Sequence, residues 1–316
     1  MPKVDVGFFL RTAVYMVTAM VIPLTPRTLL ASEAPAITEV KYYSRGNSPG
    51  LWPYQNALLL LALEKTRRDY GDYVITYYAE MLSSSRAKFE TERGRLINLH
   101  YSTGWEGEFL NEENIIKIRH PILKGLLGMR SLVIRKEDIA KFEKVNSVQD
   151  LKRFRAGQGK SWYDVSILQN QGIQVVPSTV FQNLAPMLVA KRFEFLPLSI
   201  LEAQAAVDSF EHPSRKIAIS DDLALFYPLP IHLCISKSAP DLAQRLDVGV
   251  ARTVADGSLE QLFSAHFGFV EQQIRNKNIK TLLLENPHLS KADNQTLTAN
   301  FIARFGDKLQ IVPQHQ

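Results

Sequence analysis

The chain has 316 residues, 46% of them hydrophobic and 22% charged, the proportions of an ordinary globular protein long enough for two lobes. Its formal charge of +5 falls to about +3 once residues 1–31 are set aside, and an excess that mild, spread over both lobes, gives no footprint for nucleic acid. A single cysteine, Cys234, excludes an internal disulfide and any cysteine-cluster zinc or iron–sulfur site.

Residues 1–31 differ from the rest. Lys3 and Arg11 flank an extended basic start, Thr12 to Leu24 carries no charge, and Leu29-Leu30-Ala31 offers a small residue for cleavage before Ser32, so a cleaved secretory signal is expected. A membrane anchor would need about 20 apolar residues, and this run is shorter and broken by Pro23 and Pro26. No cysteine follows it to carry a lipid anchor.

Thr38 to Ser44 then reads as a strand whose exit loop holds Gly46, Pro49 and Gly50. Pro53 opens a helix that is apolar on every side from Ala57 to Leu63, hence buried, and Gly71 ends it. A strand from Tyr73 to Tyr78, a polar helix from Ser84 to Arg93 and a strand from Leu96 to Tyr101 follow, the last leaving into Ser102-Thr103-Gly104-Trp105. Gly125 and Gly128 precede a strand from Ser131 to Arg135.

From Val148 to Glu202 the pattern is strand, glycine turn, helix, strand, helix, strand. The strands centre on Arg155, Ile173–Val176 and Phe193–Leu198, the helices on Trp162–Asn170 and Thr179–Lys191, and the turn on Gly157–Gly159. Such a segment forms a small parallel sheet with helices on its faces, and ligands sit beyond the carboxyl ends of its strands. Pro228 and Pro230 lead into a strand from His232 to Ser236, and Leu242, Leu246, Val250 and Val254 mark a helix stopped at Gly257. Asn276 to Lys280 reads as a turn and His288 to Phe305 as one more helix.

Catalytic motifs are missing from this pattern. Gly159-Lys160-Ser161 ends like a phosphate-binding loop, but Phe154 stands where that loop needs its first glycine. His232 and Cys234 alternate onto one strand face without a third metal ligand, and Ser161 lies in GKSWY with no GxSxG elbow. No cofactor is implied. Binding is better supported: backbone N–H groups of Gly159 to Ser161 at a helix start favour an anionic group, with Ser161 as helix cap, ligand contact or both. Trp105 and Trp162 follow strand ends in opposed loops, where aromatic faces offer large contact area.

The succession Leu151-Lys152-Arg153, Gly157-Gln158-Gly159, Gly172-Ile173-Gln174-Val175-Val176, Arg192-Phe193-Glu194 and Tyr227 to Lys237 resembles the second lobe of bacterial periplasmic solute-binding proteins, type II, of the amino-acid-binding kind. With Ile118 to Arg130 it is similar to a poorly characterised proteobacterial branch of transporter substrate-binding domain proteins. The resemblance implies an α/β fold of two lobes, each a small, mainly parallel sheet flanked by helices and joined by a two-segment hinge. Lobe 1 would take residues 32–125 and 237–316, and lobe 2 residues 126–236.

It further implies a periplasmic, monomeric protein, not an enzyme, that captures a small polar solute between the lobes by hinge closure and presents it to a transporter permease, as in ABC transport, or to a sensor. The expected contacts are Ser44 and Trp105 from the first jaw, Arg119 near the hinge, and Gln158, Gly159, Ser161, Trp162 and Ser199 from the second. Two family clamps are missing: Glu112 stands at the place of the carboxylate-binding arginine and Ser199 near that of the amine-binding aspartate. An enzyme on the same fold, of prephenate-dehydratase type, is the alternative, with Glu112, Glu194 and Glu202 as candidate acid or base. A third is a degenerate interaction module that binds nothing.

Overall fold

A computed structural model describes residues 37–43, 50–80, 82, 84–103, 112–118, 120, 122–210 and 216–313. The segment read as a secretory signal therefore lies outside the described residues, as do Ser44, Trp105 and Arg119.

Strand β1 (Thr38–Tyr43) is followed by helix α1 (Trp52–Tyr70), whose Pro53 sits in the first turn, where a missing N–H costs nothing. Its apolar run is buried through Leu58, Leu59, Ala62 and Leu63. The chain returns as β2 (Tyr73–Tyr78), parallel to β1 from Thr38 beside Tyr73 to Tyr43 beside Tyr78. Helix α2 (Ser84–Arg93) leads to β3 (Leu99–Ser102), also parallel to β1, and β4 (Ile115–Lys117) completes this first group.

The chain then crosses into a second sheet. β5 (Met129–Arg135) alternates its apolar residues between two buried layers, Leu132 and Ile134 in one and Val133 in the other, as a strand covered on both faces must. Two short helices, α3 (Ile139–Phe142) and α4 (Val148–Leu151), precede β6 (Ala156–Gly159), α5 (Asp164–Asn170), β7 (Val175–Ser178), α6 (Leu184–Val189) and β8 (Phe195–Ser199). β7 and β8 both run parallel to β6. After α7 (Ala203–Ser209) comes β9 (Ile217–Phe226), which the sequence pattern conceals: its register against β5 shifts beside Asp221–Asp222, so the period-two alternation slips mid-strand.

β10 (His232–Ser236) returns antiparallel between β3 and β4, giving the first sheet the order β2-β1-β3-β10-β4. Helices α8 (Pro240–Ala255) and α9 (Ser258–Asn276) pack on α1. Residues 279–283, expected to begin as a turn and to belong with the first lobe, instead form β11 (Ile279–Leu283) parallel to β9 in the second sheet. After α10 (Lys291–Phe305), β12 (Leu309–Val312) pairs with β11, and the second sheet reads β12-β11-β9-β5-β8-β6-β7. The segment 279–312 thus departs from the unit expected for 237–316, because Ile279, Thr281 and Leu282 bury themselves against β9 and β12. Among the described residues no helix is long and apolar enough to cross a membrane.

Both passages between the sheets lie side by side. Tyr227 N–H donates to Gly128 carbonyl oxygen at 3.3 Å, and a Cβ on Gly128 would sit 1.9 Å from the Tyr227 carbonyl oxygen. Just upstream, Lys124 holds a left-handed φ of 53°, a strained state for a side-chain-bearing residue, and is retained by ion pairs to Glu260 and Glu271 and by its ammonium lying 3.9 Å from the Phe263 ring centroid. Ile118, Ile122, Leu126, Tyr227, Leu229 and Ile231 from the two passages belong to one core cluster that continues into both sheets. Gly128→Ala is therefore expected to lower stability by at least about 3 kcal/mol in denaturant unfolding, since backbone cannot yield as a flexible side chain would. A loss within 0.5 kcal/mol, the ordinary scatter of surface changes, would show that the passages can part.

Candidate functional site

The carboxyl ends of β6, β7 and β8 carry the turn Gly159–Tyr163, Phe181 and Ser199. Trp162 occupies the turn with 38% of its surface exposed, an unusual state for so large an aromatic side chain. Its indole covers Gly159, where any Cβ would sit 2.7 Å from the ring, and it tilts against Phe181 at 5.9 Å, which in turn meets Phe210 at 5.2 Å. The result is an aromatic ledge fixed from behind and open in front.

Around it, Gln158, Gly159 and Ser199, anticipated as contacts, have internal partners. Gln158 is fully buried, donates to Pro197 carbonyl oxygen at 2.9 Å and accepts the Gly159 N–H at 3.2 Å. Ser199 is buried, donating to Leu126 carbonyl oxygen and accepting the Leu201 N–H, both at 3.3 Å. Lys160 N–H donates to Ser178 carbonyl oxygen at 2.8 Å and Trp162 N–H to Gly159 carbonyl oxygen at 3.0 Å. The expected anion cradle meets competition: two of its three amides, those of Gly159 and Lys160, already have acceptors inside the chain, α5 starts at Asp164, and Ser161 is an exposed turn residue ahead of that helix. A helix of seven residues that begins with an acid offers little positive end to an anion.

Beneath the turn the structure assembles a buried ionic cluster of which the sequence reading singled out only Glu202. Arg130 at the start of β5 reaches Asp164 Oδ1 at 2.8 Å and donates from Nε to the Tyr227 hydroxyl at 2.9 Å, while that hydroxyl donates to Asp164. The guanidinium also lies 5.3 Å from the Tyr227 ring centroid. Burial opposes the charge on Arg130, but Asp164, Tyr227 and Glu202 outweigh it and its pKa lies above the ordinary value. Tyr227 is pushed well up by burial.

Glu202, just before α7, completes the cluster. Its Oε1 is sealed from solvent without a hydrogen-bond partner, and its side chain does not cap α7. Burial pushes its pKa up to about 7; Arg130 pulls it down and Asp164 adds to the rise. Glu194 differs: although partial burial works the other way, bonds from Arg155, including 2.9 Å from the guanidinium and 2.8 Å from the backbone N–H, hold its carboxyl below the usual range. The side chain of Glu112 lies outside the described residues. His232 bonds Ile118 carbonyl oxygen at 2.9 Å, Cys234 is buried, and among the described residues no group of three or more His, Cys, Asp or Glu stands close enough to hold a metal ion. A charged residue near the start of a fully buried strand, as Arg130 is, and an acid directly after the glycine turn were the available signals.

No family model matches the sequence, and no curated protein matches it. Solved structures do. A TRAP periplasmic solute-binding protein from Desulfovibrio salexigens, in complex with diglycerolphosphate, superposes with a TM-score of 0.53 at 12% identity, covering 86% of this chain and 99% of its own. An arginine transport-system periplasmic binding protein from Legionella pneumophila gives 0.50 at 14% identity, covering 73% and 100%. An ancestral arginine-binding protein bound to glutamine gives 0.50 at 13%, covering 73% and 98%. The fold is that of the type II periplasmic solute-binding proteins. Its two sheets, with β10 returning antiparallel to the first, supply the two opposed jaws of that architecture.

Glu202 makes a testable demand on the cluster. Its carboxyl binds a proton more tightly in the folded chain, at about 7 against an ordinary 4.5, so its contribution to stability is fully present below pH 4.5 and is lost as pH rises through 7. Relative to Glu202→Gln, the wild-type chain is expected to lose on the order of 3 kcal/mol between those limits, read by urea unfolding at stepped pH. Parallel pH profiles for the two proteins would mean that Glu202 is not held in this environment.

Proposed function

We propose that this protein is an extracytoplasmic solute-binding protein that holds a small polar solute between its jaws and hands it to a membrane transporter or sensor. The observation that carries this reading is the aromatic ledge of Trp162, exposed yet rigidly backed, at the carboxyl ends of parallel strands where ligands of such sheets bind. The solutes named for the structural neighbours, arginine, glutamine and diglycerolphosphate, are all small and polar, which supports the class of ligand but singles out none. The charge-free Thr12 to Leu24 run and the Ala31–Ser32 junction support a cleaved signal and a periplasmic location, and the motifs of residues 118–130 and 148–237 support the amino-acid-type proteobacterial branch. We assign Trp162 and Ser161 to the second jaw and Ser44, Trp105 and Arg119 to the first or its margin. Gln158, Gly159 and Ser199 shape the floor from behind.

A thermal-shift screen of amino acids, dicarboxylates and polyol phosphates is expected to yield at least one solute that stabilises the chain, by about 2.7 kcal/mol at a hundred times its dissociation constant. Trp162→Ala should weaken that solute at least about tenfold while leaving the melting temperature of the free protein within a few degrees, because 38% of the tryptophan's surface is already in water. Unchanged affinity with lost stability would reassign the tryptophan to the core. Fractionation should recover a mature form lacking residues 1–31 in the periplasm; an intact N-terminus in the membrane fraction would favour an anchor.

One observation favours a second reading, an enzyme on the same fold: Glu202 is a buried carboxyl that titrates near neutrality, as a general acid or base requires. Turnover of a screened solute, abolished in Glu202→Gln with binding intact, would move the assignment to catalysis. Binding without turnover in either protein would retire it.

A further inference from the structure

The two jaws touch through side chains at a place that the solute-binding reading does not use. Lys88 belongs to α2, which packs on the first sheet through Ala87 and Thr91, both buried. Its ammonium donates to the hydroxyl of Tyr163 and stands 4.9 Å from the centroid of that ring. Tyr163 belongs to the second sheet, in the turn between β6 and α5, directly after Trp162.

The tyrosine is held in readiness on its own side. Its carbonyl accepts a hydrogen bond from Ser166 Oγ at 2.8 Å, Ser166 Oγ also lies 2.6 Å from His288 Nε2, and the His288 ring meets the Tyr163 ring edge-on at 5.4 Å. His288 is anchored in turn through its N–H, which donates to Asn286 Oδ1 at 2.9 Å. A receptor held by Ser166 and His288 loses little freedom when the lysine arrives, and an ammonium that is half-buried over an aromatic face interacts more strongly than one in open water. The contact forms only when α2 and the β6–α5 turn stand face to face. It is lost if the sheets part.

We propose that Lys88 and Tyr163 form a latch that holds the two jaws together when no solute is bound. The inference rests on the two-jaw binding reading but makes a separate claim: closure has a source inside the chain, and solute adds to it. Since Tyr163 follows Trp162, a solute that seats on the ledge meets a jaw already in place, and admission requires the lysine to let go. A chain with this latch spends much of its ligand-free time closed, whereas one without it opens freely.

The test is small-angle scattering on the full mature chain, freed of co-purified solute by unfolding and refolding, for the wild type, Lys88→Met, Tyr163→Phe and Tyr163→Arg. The radius of gyration is expected to shift upward in Lys88→Met, which keeps the stem but loses the charge, and furthest in Tyr163→Arg, which opposes two cations. Tyr163→Phe, which keeps the ring and loses only the hydroxyl, should fall between wild type and Lys88→Met. Circular dichroism and melting curves establish that each variant is folded; should Tyr163→Arg fail to fold, the comparison of Lys88→Met with wild type decides. Folded Lys88→Met with an unchanged radius overturns the latch. If no solute in the screen stabilises the chain while the variants expand, the latch stands and the binding reading falls; if a solute binds and the variants do not expand, the reverse holds.

Discussion

The ion pair between Arg130 and Asp164 governs this architecture because neither charge can be left alone where it sits. Both side chains are almost wholly withdrawn from water, and an uncompensated ion in such a place costs several kcal/mol. Arg130 begins β5, Asp164 begins α5, and the Tyr227 hydroxyl that joins them belongs to the passage back to the first sheet. Satisfying one buried charge therefore sets three chain segments against each other. The turn that bears Trp162 is placed by that requirement as much as by its own glycines.

The same cluster shapes the chemistry open to the cleft. An arginine already matched by a carboxylate and a phenol is poorly disposed to clamp an incoming anion, and the amides of Gly159, Lys160 and Trp162 are taken by Gln158, Ser178 and Gly159. What remains on the described part of the second jaw is apolar and aromatic, with an exposed Ser161 hydroxyl and the neighbouring Lys160 at its edge. The clamp departures that the resemblance implies at Glu112 and Ser199 would have a counterpart inside the fold, where Arg130 and Asp164 satisfy each other. Glu202 keeps a buried carboxylate oxygen without a hydrogen bond, close enough to that pair to feel both charges.

Motion between the sheets has its own constraints. The passages meet backbone to backbone at Gly128 and Tyr227, and their apolar residues are shared by one continuous core. Any rotation has to pivot about this seam, since separating it would expose Leu126, Tyr227 and Leu229 to water. Lys124 and Gly125 both take left-handed backbone at the entrance to this seam.

The sequence by itself determined elements that carry their own punctuation. Periodicity and a terminal glycine or proline marked the first helix, the second helix at Ser84–Arg93 and the strands Tyr73–Tyr78 and His232–Ser236, and the ordered motifs from Leu151 to Lys237 carried the fold, because each rests on neighbours close in the chain. Tertiary structure alone decided the rest. β9 was hidden because its alternation breaks at two aspartates, and β11 because Asn276 and Lys277 resemble a turn while the strand beyond them is chosen by pairing with β9, 57 residues away. The candidate site divides along the same line: Trp162 was visible as an aromatic after a glycine turn, whereas the inward roles of Gln158 and Ser199 and the meeting of Arg130, Asp164, Glu202 and Tyr227 depend on residues up to 97 positions apart, whose burial no local pattern encodes.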